Sequence, residues 1–364
     1  ALPIYSLLIK ASYKPQVNQV SQAMYAPYSS NFGYDEAITN GANYAAVLNV
    51  VQPLFNKKFK ANQFQENALA KQSIATDVRL TETDLKQGIT AQYLTAYADW
   101  EQIRFNQGIL EQLKKQQELL KTLVEKGIYA QTDAMNLSIS ITAQKIAIRQ
   151  TALQFRNNLA VLNFICGIAD TTTAVLRKPN LKVINKFDIS STPAMMKFKI
   201  DSLKTENARQ TIDLNYRPKL SAFADAGFMA VLPENIPHNF GTSFGLNFSL
   251  PVYDGKQRKL QYEKLQLDEN TRLDYKYFYT SQYKQQINQL STQLKETDEL
   301  ISNIRSQLDE QEKLIEHYKI EIEKGLVRFL DYLAIVNNYA QTKNNLTTAE
   351  MSRLQIINQM NYLK

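Results

Sequence analysis

The chain has one cysteine, Cys166, and two histidines, His238 and His317, in 364 residues. A single thiol excludes an internal disulfide framework and a multi-cysteine metal site. Two imidazoles leave almost nothing for acid–base or metal chemistry, so neither catalysis nor a metal nor a cofactor is expected. Turn formers are scarce as well, with 11 glycines and 10 prolines in the whole chain, which calls for few and long elements. Long apolar runs are missing, and no stretch approaches the roughly 18 residues that a membrane helix requires. If the chain meets a membrane, it does so through strands. An excess of one charge is lacking too: 42 basic against 35 acidic residues give a net charge of +7. The bases are spread among acids, so nucleic acid is not an expected partner. No charged-then-apolar targeting segment opens the sequence.

What is present is an internal repeat. Gln52-Pro53-Leu54-Phe55-Asn56-Lys57-Lys58 recurs as Leu250-Pro251-Val252-Tyr253-Asp254-Gly255-Lys256, at an offset of 251 − 53 = 198. Far away, Glu125-Lys126-Gly127-Ile128 followed by Asp133 matches Glu323-Lys324-Gly325-Leu326 followed by Asp331, and 325 − 127 is again 198. Tyr13-Lys14-Pro15 and Tyr216-Arg217-Pro218 lie 203 apart. Two copies of one supersecondary unit follow, differing by a few residues in a loop.

Within each copy the order is strand, loop, strand ending at the Pro, long helix, turn, return helix. In the second copy Leu220, Ala222, Ala224, Ala226 and Phe228 alternate with small or polar residues, as do Phe240, Phe244, Leu246, Phe248 and Leu250. In the first, Tyr44, Ala46, Leu48 and Val50 make the apolar face, while residues 16–24 alternate poorly. Strands of about ten residues with this dyad pattern suit a membrane β-barrel, lipid on one face and water on the other. Gly241 and Gly245 read as small lumen-facing residues, because a phosphate loop would need a following Lys and helix.

After each Pro the period changes, and helices are expected from about Lys57 to Glu125 and from about Gly255 to Glu323. At 1.5 Å per residue each would run roughly 100 Å. Tyr283, Ile287, Leu290, Leu294, Thr297, Ile301, Ile304, Leu308, Gln311, Ile315, Tyr318 and Ile322 form a coiled-coil seam with alternating steps of four and three. Tyr93, Trp100, Ile103, Leu110, Leu113, Leu120 and Leu123 make a broader stripe, expected to pack on both sides. Gly127 and Gly325 suit a left-handed position after a helix end, and return helices are expected at about 132–165 and 329–363. Residues 168–195 read as an irregular belt, a helix is expected at about 194–215, and its counterpart in the first copy has only residues 1–12, so the start of the protein is expected upstream. Cys166 reads as a small buried hydrophobe. The organisation is thus a first repeat at 1–167 (β-hairpin about 15–53, helical hairpin about 57–167), a linker at 168–192, and a second repeat at 193–364 (β-hairpin about 218–251, helical hairpin about 255–363).

Asp133 and Asp331 each fall in the first turn of a return helix, where the macrodipole stabilises a carboxylate. The basic residues Lys57, Lys58 and Lys60 repeat as Lys256, Arg258 and Lys259, with 256 − 58 and 258 − 60 both 198. Lying directly after each membrane strand, they suit lipid headgroups reached by snorkelling.

The duplicated strand–strand–long helix–turn–return helix, with Pro-aromatic-Asn/Asp-basic at one junction and Gly-x5-Asp at the turn, resembles the TolC-type outer-membrane efflux and secretion channels over essentially the whole chain. The resemblance implies a mainly α fold with a membrane β-barrel part: three protomers give four strands each to a twelve-stranded barrel, continued by a twelve-helix α-barrel through the periplasm. Four strands cannot close a barrel alone, and lipid does not tolerate open edges, so an oligomer is required on physical grounds as well. The implied function is a passive export duct of a tripartite efflux pump or type I secretion system in the Gram-negative outer membrane, not an enzyme. Its implied partners are a homotrimer, a periplasmic adaptor, an inner-membrane pump of RND or ABC type, and outer-membrane lipid. The turns become the gated periplasmic tip, with Lys126-Gly127-Ile128 and Lys324-Gly325-Leu326 as adaptor contacts and Asp331 and Asp133 as aperture carboxylates. A second acid of the aperture ring would fall at Ala334, which thins that ring, and a latching Arg would fall at Val327, beside Arg328. The rival reading is a periplasmic adaptor, but adaptors have one helical hairpin flanked by compact β domains, and this chain duplicates its hairpin.

Overall fold

The computed structural model of the protein describes residues 2–27, 29, 31–34, 42–54, 56–169, 175–184 and 188–363. Phe55, the Thr171-Thr172-Thr173 run and parts of the 25–43 loop lie outside the described residues. In chain order the elements are α1 (Leu2–Ser12), β1 (Gln16–Tyr25), β2 (Ala42–Leu54), α2 (Lys57–Glu125), α3 (Gln131–Cys166), α4 (Pro193–Asn215), β3 (Lys219–Ala230), β4 (Phe240–Ser249), α5 (Gln257–Glu323) and α6 (Phe329–Asn361). Short 3₁₀ turns occupy Ile189–Ser191 and Pro233–His238. The chain divides into two compact units, residues 1–78 with 193–278 and residues 79–192 with 279–364.

In the first unit the four strands form one antiparallel sheet in the order β1-β2-β3-β4. Gln16 pairs with Val51 in the first hairpin and Lys219 with Ser249 in the second. These pairs are related by 219 − 16 = 203 and 249 − 51 = 198, the two offsets of the sequence landmarks, so both copies share one register. The Tyr-basic-Pro triplets fill the three-residue connectors between α1 and β1 and between α4 and β3. Each closes its helix in the same way: Lys14 N donates to Ala11 O and Arg217 N to Leu214 O, both at 3.0 Å. The Pro then supplies no amide and pushes the preceding residue out of the helical region.

The expected alternation holds. Tyr44, Ala46, Leu48 and Val50 share a face with Leu220, Ala222, Ala224, Ala226 and Phe228 and with Phe240, Phe244, Leu246 and Phe248, as the register requires. That apolar face is open: Phe244 is 89% exposed, with Leu48, Leu246 and Phe248 also exposed. Asn49, Asp225 and Ser243 lie on the opposite face. The poorly alternating β1 is nonetheless a full strand, because its backbone pairs with β2 along its length while all its side chains but Met24 remain exposed. At Gly245 the Phe223 ring covers the glycine, where a Cβ would come within 2.8 Å of Cζ. Among the described residues no helix is long and apolar enough to cross a membrane.

In the second unit the α5 seam is buried as expected. Tyr283, Leu290, Ile301, Leu308, Ile315 and Ile322 are buried and the intervening seam residues half-buried. α6 covers them, Leu308 clustering with Leu346, and Leu290 with Ile356 and Met360. Burying one such Leu or Ile contributes about 2 kcal/mol. The broader stripe of α2 packs on several neighbours: Tyr97 meets Phe155, Leu159 and Leu162 of α3 and Leu176 of the linker, while Leu113, Leu120 and Leu123 join Leu137, Ile141, Ile322 and Phe329. The linker lies along the helices as a belt. The Tyr93 hydroxyl donates to Arg177 O at 2.7 Å and accepts from Arg177 N at 2.9 Å, and Asn361 bonds both Ile184 N and Lys182 O at 2.9 Å.

Two expectations are corrected. Cys166 is exposed rather than buried, because the packed face of α3 ends at Leu162 and the last turn carries Phe164 and Cys166 outward before Gly167 ends the helix at φ 69°. The helix α5 begins at Gln257, two residues after the expected start at about Gly255. There Gly255 and Lys256 take φ of 63° and 71°, and the Asp254 carboxylate accepts from Lys256 N at 2.9 Å and Arg258 N at 2.7 Å. That side-chain cap holds the chain in a turn for two more residues.

Candidate functional site

The two inter-helix turns close identically. Gly127 (φ 75°) donates to Val124 O and Ile128 N to Leu123 O, both at 2.9 Å, while Gly325 (φ 68°) donates to Ile322 O and Leu326 N to Glu321 O, both at 3.0 Å. Each is a Schellman end that satisfies the last helical carbonyls and needs a left-handed residue at its C′ position. Lys126, Gly127, Ile128, Lys324, Gly325 and Leu326 are all exposed, Leu326 at 71%. The two turns also touch each other. A Cβ on Gly325 would come within 2.7 Å of Ile128 Cγ2, and the Tyr129 hydroxyl lies 2.8 Å from Val327 O and 3.2 Å from Ile322 O. The Tyr129 ring meets Phe329 edge-on with centroids 6.1 Å apart. Burial, then the Asp133 charge, pushes the Tyr129 phenol above its ordinary value.

The turn carboxylates differ in their partners. Asp133 accepts from Ala130 N at 3.2 Å, the backbone half of a capping box at the start of α3. Asp331 forms a two-pronged pair with Arg328, whose Nε and Nη2 each donate at 3.0 Å to a different carboxylate oxygen. The hydrogen bond and then the charge of Asp331 raise the Arg328 guanidinium above its ordinary value. Arg328 is 82% exposed and Asp331 40%, while Ala334, one turn on, is exposed and adds no charge. Sequence reasoning placed these residues together but missed Tyr129. The available signal was that Tyr129 is the repeat counterpart of Val327, an aromatic facing an aliphatic at 327 − 129 = 198.

The basic residues at the strand-to-helix junctions are not equivalent. Lys57 and Lys58 are exposed and Lys60 half-buried. Arg258 donates from Nη2 to Asp213 Oδ1 at 2.8 Å and lies over the Tyr216 ring at 5.3 Å. Tyr262 donates to the same Asp213 oxygen at 2.5 Å, and Tyr216 to Asp254 Oδ2 at 2.6 Å. The Tyr262 hydroxyl first, and then Arg258, hold the Asp213 carboxyl below the usual carboxylate range. The guanidinium is therefore engaged within its own junction, whereas Lys256 is exposed and Lys259 makes only an open contact of 3.7 Å with Glu263. Among the described residues no three His, Cys, Asp or Glu side chains are placed to hold a metal ion.

Neither a protein-family model nor a curated protein sequence matches the chain. Solved structures do match across 99% of it. The outer-membrane channel OprN superposes with a TM-score of 0.73 at 14% identity, over 83% of its own chain. CusC, which forms a transmembrane channel, gives 0.72 at 10% identity over 85% of its chain. The outer membrane protein VceC from Vibrio cholerae gives 0.71 at 13% identity over 89% of its chain.

Proposed function

We propose that this chain, which has the fold of the TolC-type outer-membrane channels, is one protomer of a passive export duct in the Gram-negative outer membrane. Three copies would close one barrel from their sheets and continue it with their helical hairpins through the periplasm. The duct would join a periplasmic adaptor and an inner-membrane pump in a tripartite efflux or secretion machine.

The observation that carries this reading is the four-stranded sheet with an exposed apolar face and an opposite face that carries the polar row Asn18, Asn49, Asp225 and Ser243, ending in β1 and β4. Such a sheet cannot enter lipid until its edges pair and its polar face surrounds water. Three copies of four strands meet both conditions. Exposed Met135, Ile139, Ile146 and Leu153 on α3 offer the matching helical surface for a neighbouring protomer.

At the turns, exposed Lys126-Gly127-Ile128 and Lys324-Gly325-Leu326 are the adaptor contacts in this reading, and Asp331 and Asp133 the aperture carboxylates. Both carboxylates are half-buried and engaged, Asp331 by Arg328 and Asp133 by its helix cap. Lys57, Lys58, Lys60, Lys256 and Lys259 meet headgroups, and Arg258 organises the junction instead.

The test is the mass and planar-bilayer conductance of the protein purified in detergent. A trimer with defined, long-lived conductance steps is expected. A monomer without conductance would sink this reading in favour of the adaptor.

A further inference from the structure

The polar face of the sheet carries one transverse row to which every strand contributes a polar side chain. Asn18, Asn49, Asp225 and Ser243 are successive register partners across β1, β2, β3 and β4. Asp225 accepts from Asn49 Nδ2 on one side and from Ser243 Oγ, at 3.1 Å, on the other. The next row on one side is Val20, Val47, Gly227 and Gly241, and on the other Gln16, Val51, Phe223 and Gly245. The carboxylate therefore stands in a polar stripe between rows that, apart from Gln16 on the edge strand, are small or apolar. Gly241, where a Cβ would meet nothing within 4 Å, leaves room in front of it, and a concavity of about 610 Å³ is lined by Asn49, Asp225, Gly227, Gly241 and Ser243.

The four strands carry two charged side chains, Lys219 and Asp225. Lys219 is the first residue of β3, and its ammonium lies 5.6 Å over the Phe59 ring. Asp225 is alone in the middle of a strand. A carboxylate on the water-facing side of a barrel strand stands in the conducting path, where side chains tune which ions pass. Its two hydrogen bonds hold it in the plane of the row without neutralising it.

We infer that Asp225 is a charge-selecting residue of the strand-built part of the duct, where three copies form a ring of carboxylates that favours inorganic and small organic cations over anions. The inference rests on the channel reading, and the ring is separate from the turn carboxylate Asp331.

The experiment uses the full chain in planar bilayers, as wild type, Asp225→Asn, Asp331→Asn and Ser243→Lys. Reversal potentials are read in a salt gradient, and block by hexaamminecobalt(III) is read from the side on which the β1–β2 and β3–β4 loops project. Asp225→Asn should lower the cation-to-anion permeability ratio about threefold at ~0.1 M salt and weaken loop-side block by a similar factor. Asp331→Asn should leave loop-side block in place. Ser243→Lys sets a positive charge opposite Asp225 in register and should abolish the preference even if Asp225→Asn fails to assemble. An unchanged ratio and unchanged loop-side block in trimeric, conducting variants would overturn the inference and leave the duct standing. A wild type without trimers or conductance would overturn the duct reading and this inference with it.

Discussion

The Tyr129 hydroxyl donates to the carbonyl of Val327 at 2.8 Å, and these two residues occupy the same position in the two copies of the repeat, 198 residues apart. Duplication made the turns alike in backbone, with matching Schellman bonds at Gly127 and Gly325. The side chains then broke the symmetry. The first turn supplies an aromatic hydroxyl and the second supplies carbonyls, so the two helical hairpins are fastened to each other at their turns within a single protomer.

Tyr129→Phe removes that fastening while keeping the ring against Phe329. The lost bond should cost about 1 kcal/mol locally, without unfolding the hairpins, whose stability lies in the seams. Amide hydrogen exchange at the two turns should accelerate about fivefold, with exchange in the middle of α5 unchanged. If the turn amides exchange as in the wild type, the contact does not hold the turns together.

Much of this organisation is legible in the sequence because it rests on local rules. The Tyr-basic-Pro triplets stop helices, the period-2 pattern of 220–228 makes a strand, and the 4-3 steps from Tyr283 to Ile322 make a seam, each through neighbours within one turn or one pleat. The shared register follows from the same landmarks. What escaped depends on partners far along the chain with no period to announce them. Asp213 and Arg258 meet across 45 residues, and Tyr129 finds a carbonyl, which any residue could offer. The displaced start of α5 escaped for a different reason, since Asp254 replaces Asn56 at one repeat position and captures two amides that a simple offset assigns to the helix.

The two turn glycines should respond unequally to the same substitution. Both have positive φ, so Gly127→Ala and Gly325→Ala each incur roughly 1 kcal/mol of left-handed strain. A Cβ at 127 meets nothing within 4 Å, whereas at 325 it meets Ile128 Cγ2 at 2.7 Å. Gly325→Ala should therefore lower the thermal midpoint more, and Ile128→Ala in the same chain should remove the difference. Equal midpoints for the two single variants would contradict the turn-to-turn contact.

Asp331→Ala separates stability from conduction. The pair with Arg328 is exposed, and exposed ion pairs add little to stability, so the thermal midpoint should hardly move. Cation selectivity and single-channel conductance should change if the carboxylate lines the aperture. Single-channel recordings with both properties as in the wild type would remove Asp331 from the aperture and leave it a first-turn helix charge.

Alkaline pH offers a test of the core beside the turns. Tyr332 is 2% exposed in the cluster formed with Phe329, Leu333 and Val336. Burial, followed by the Glu316 charge, pushes its phenol up to about 12. The folded value lies above the ordinary 10 of the unfolded chain, so the neutral form is the one the fold favours. The stability linked to it is complete below pH ~10 and is lost as the pH rises from there through ~12, at up to about 1.4 kcal/mol per pH step and about 3 kcal/mol in all. Tyr332→Phe has no proton to lose there. Its helix-unfolding midpoint should gain steadily on the wild type's between pH 10 and 12, while their difference stays constant from pH 7 to 9. Parallel curves over the whole range would mean that the Tyr332 hydroxyl reaches water in the folded protein and that the cluster around it is more open than its packing indicates.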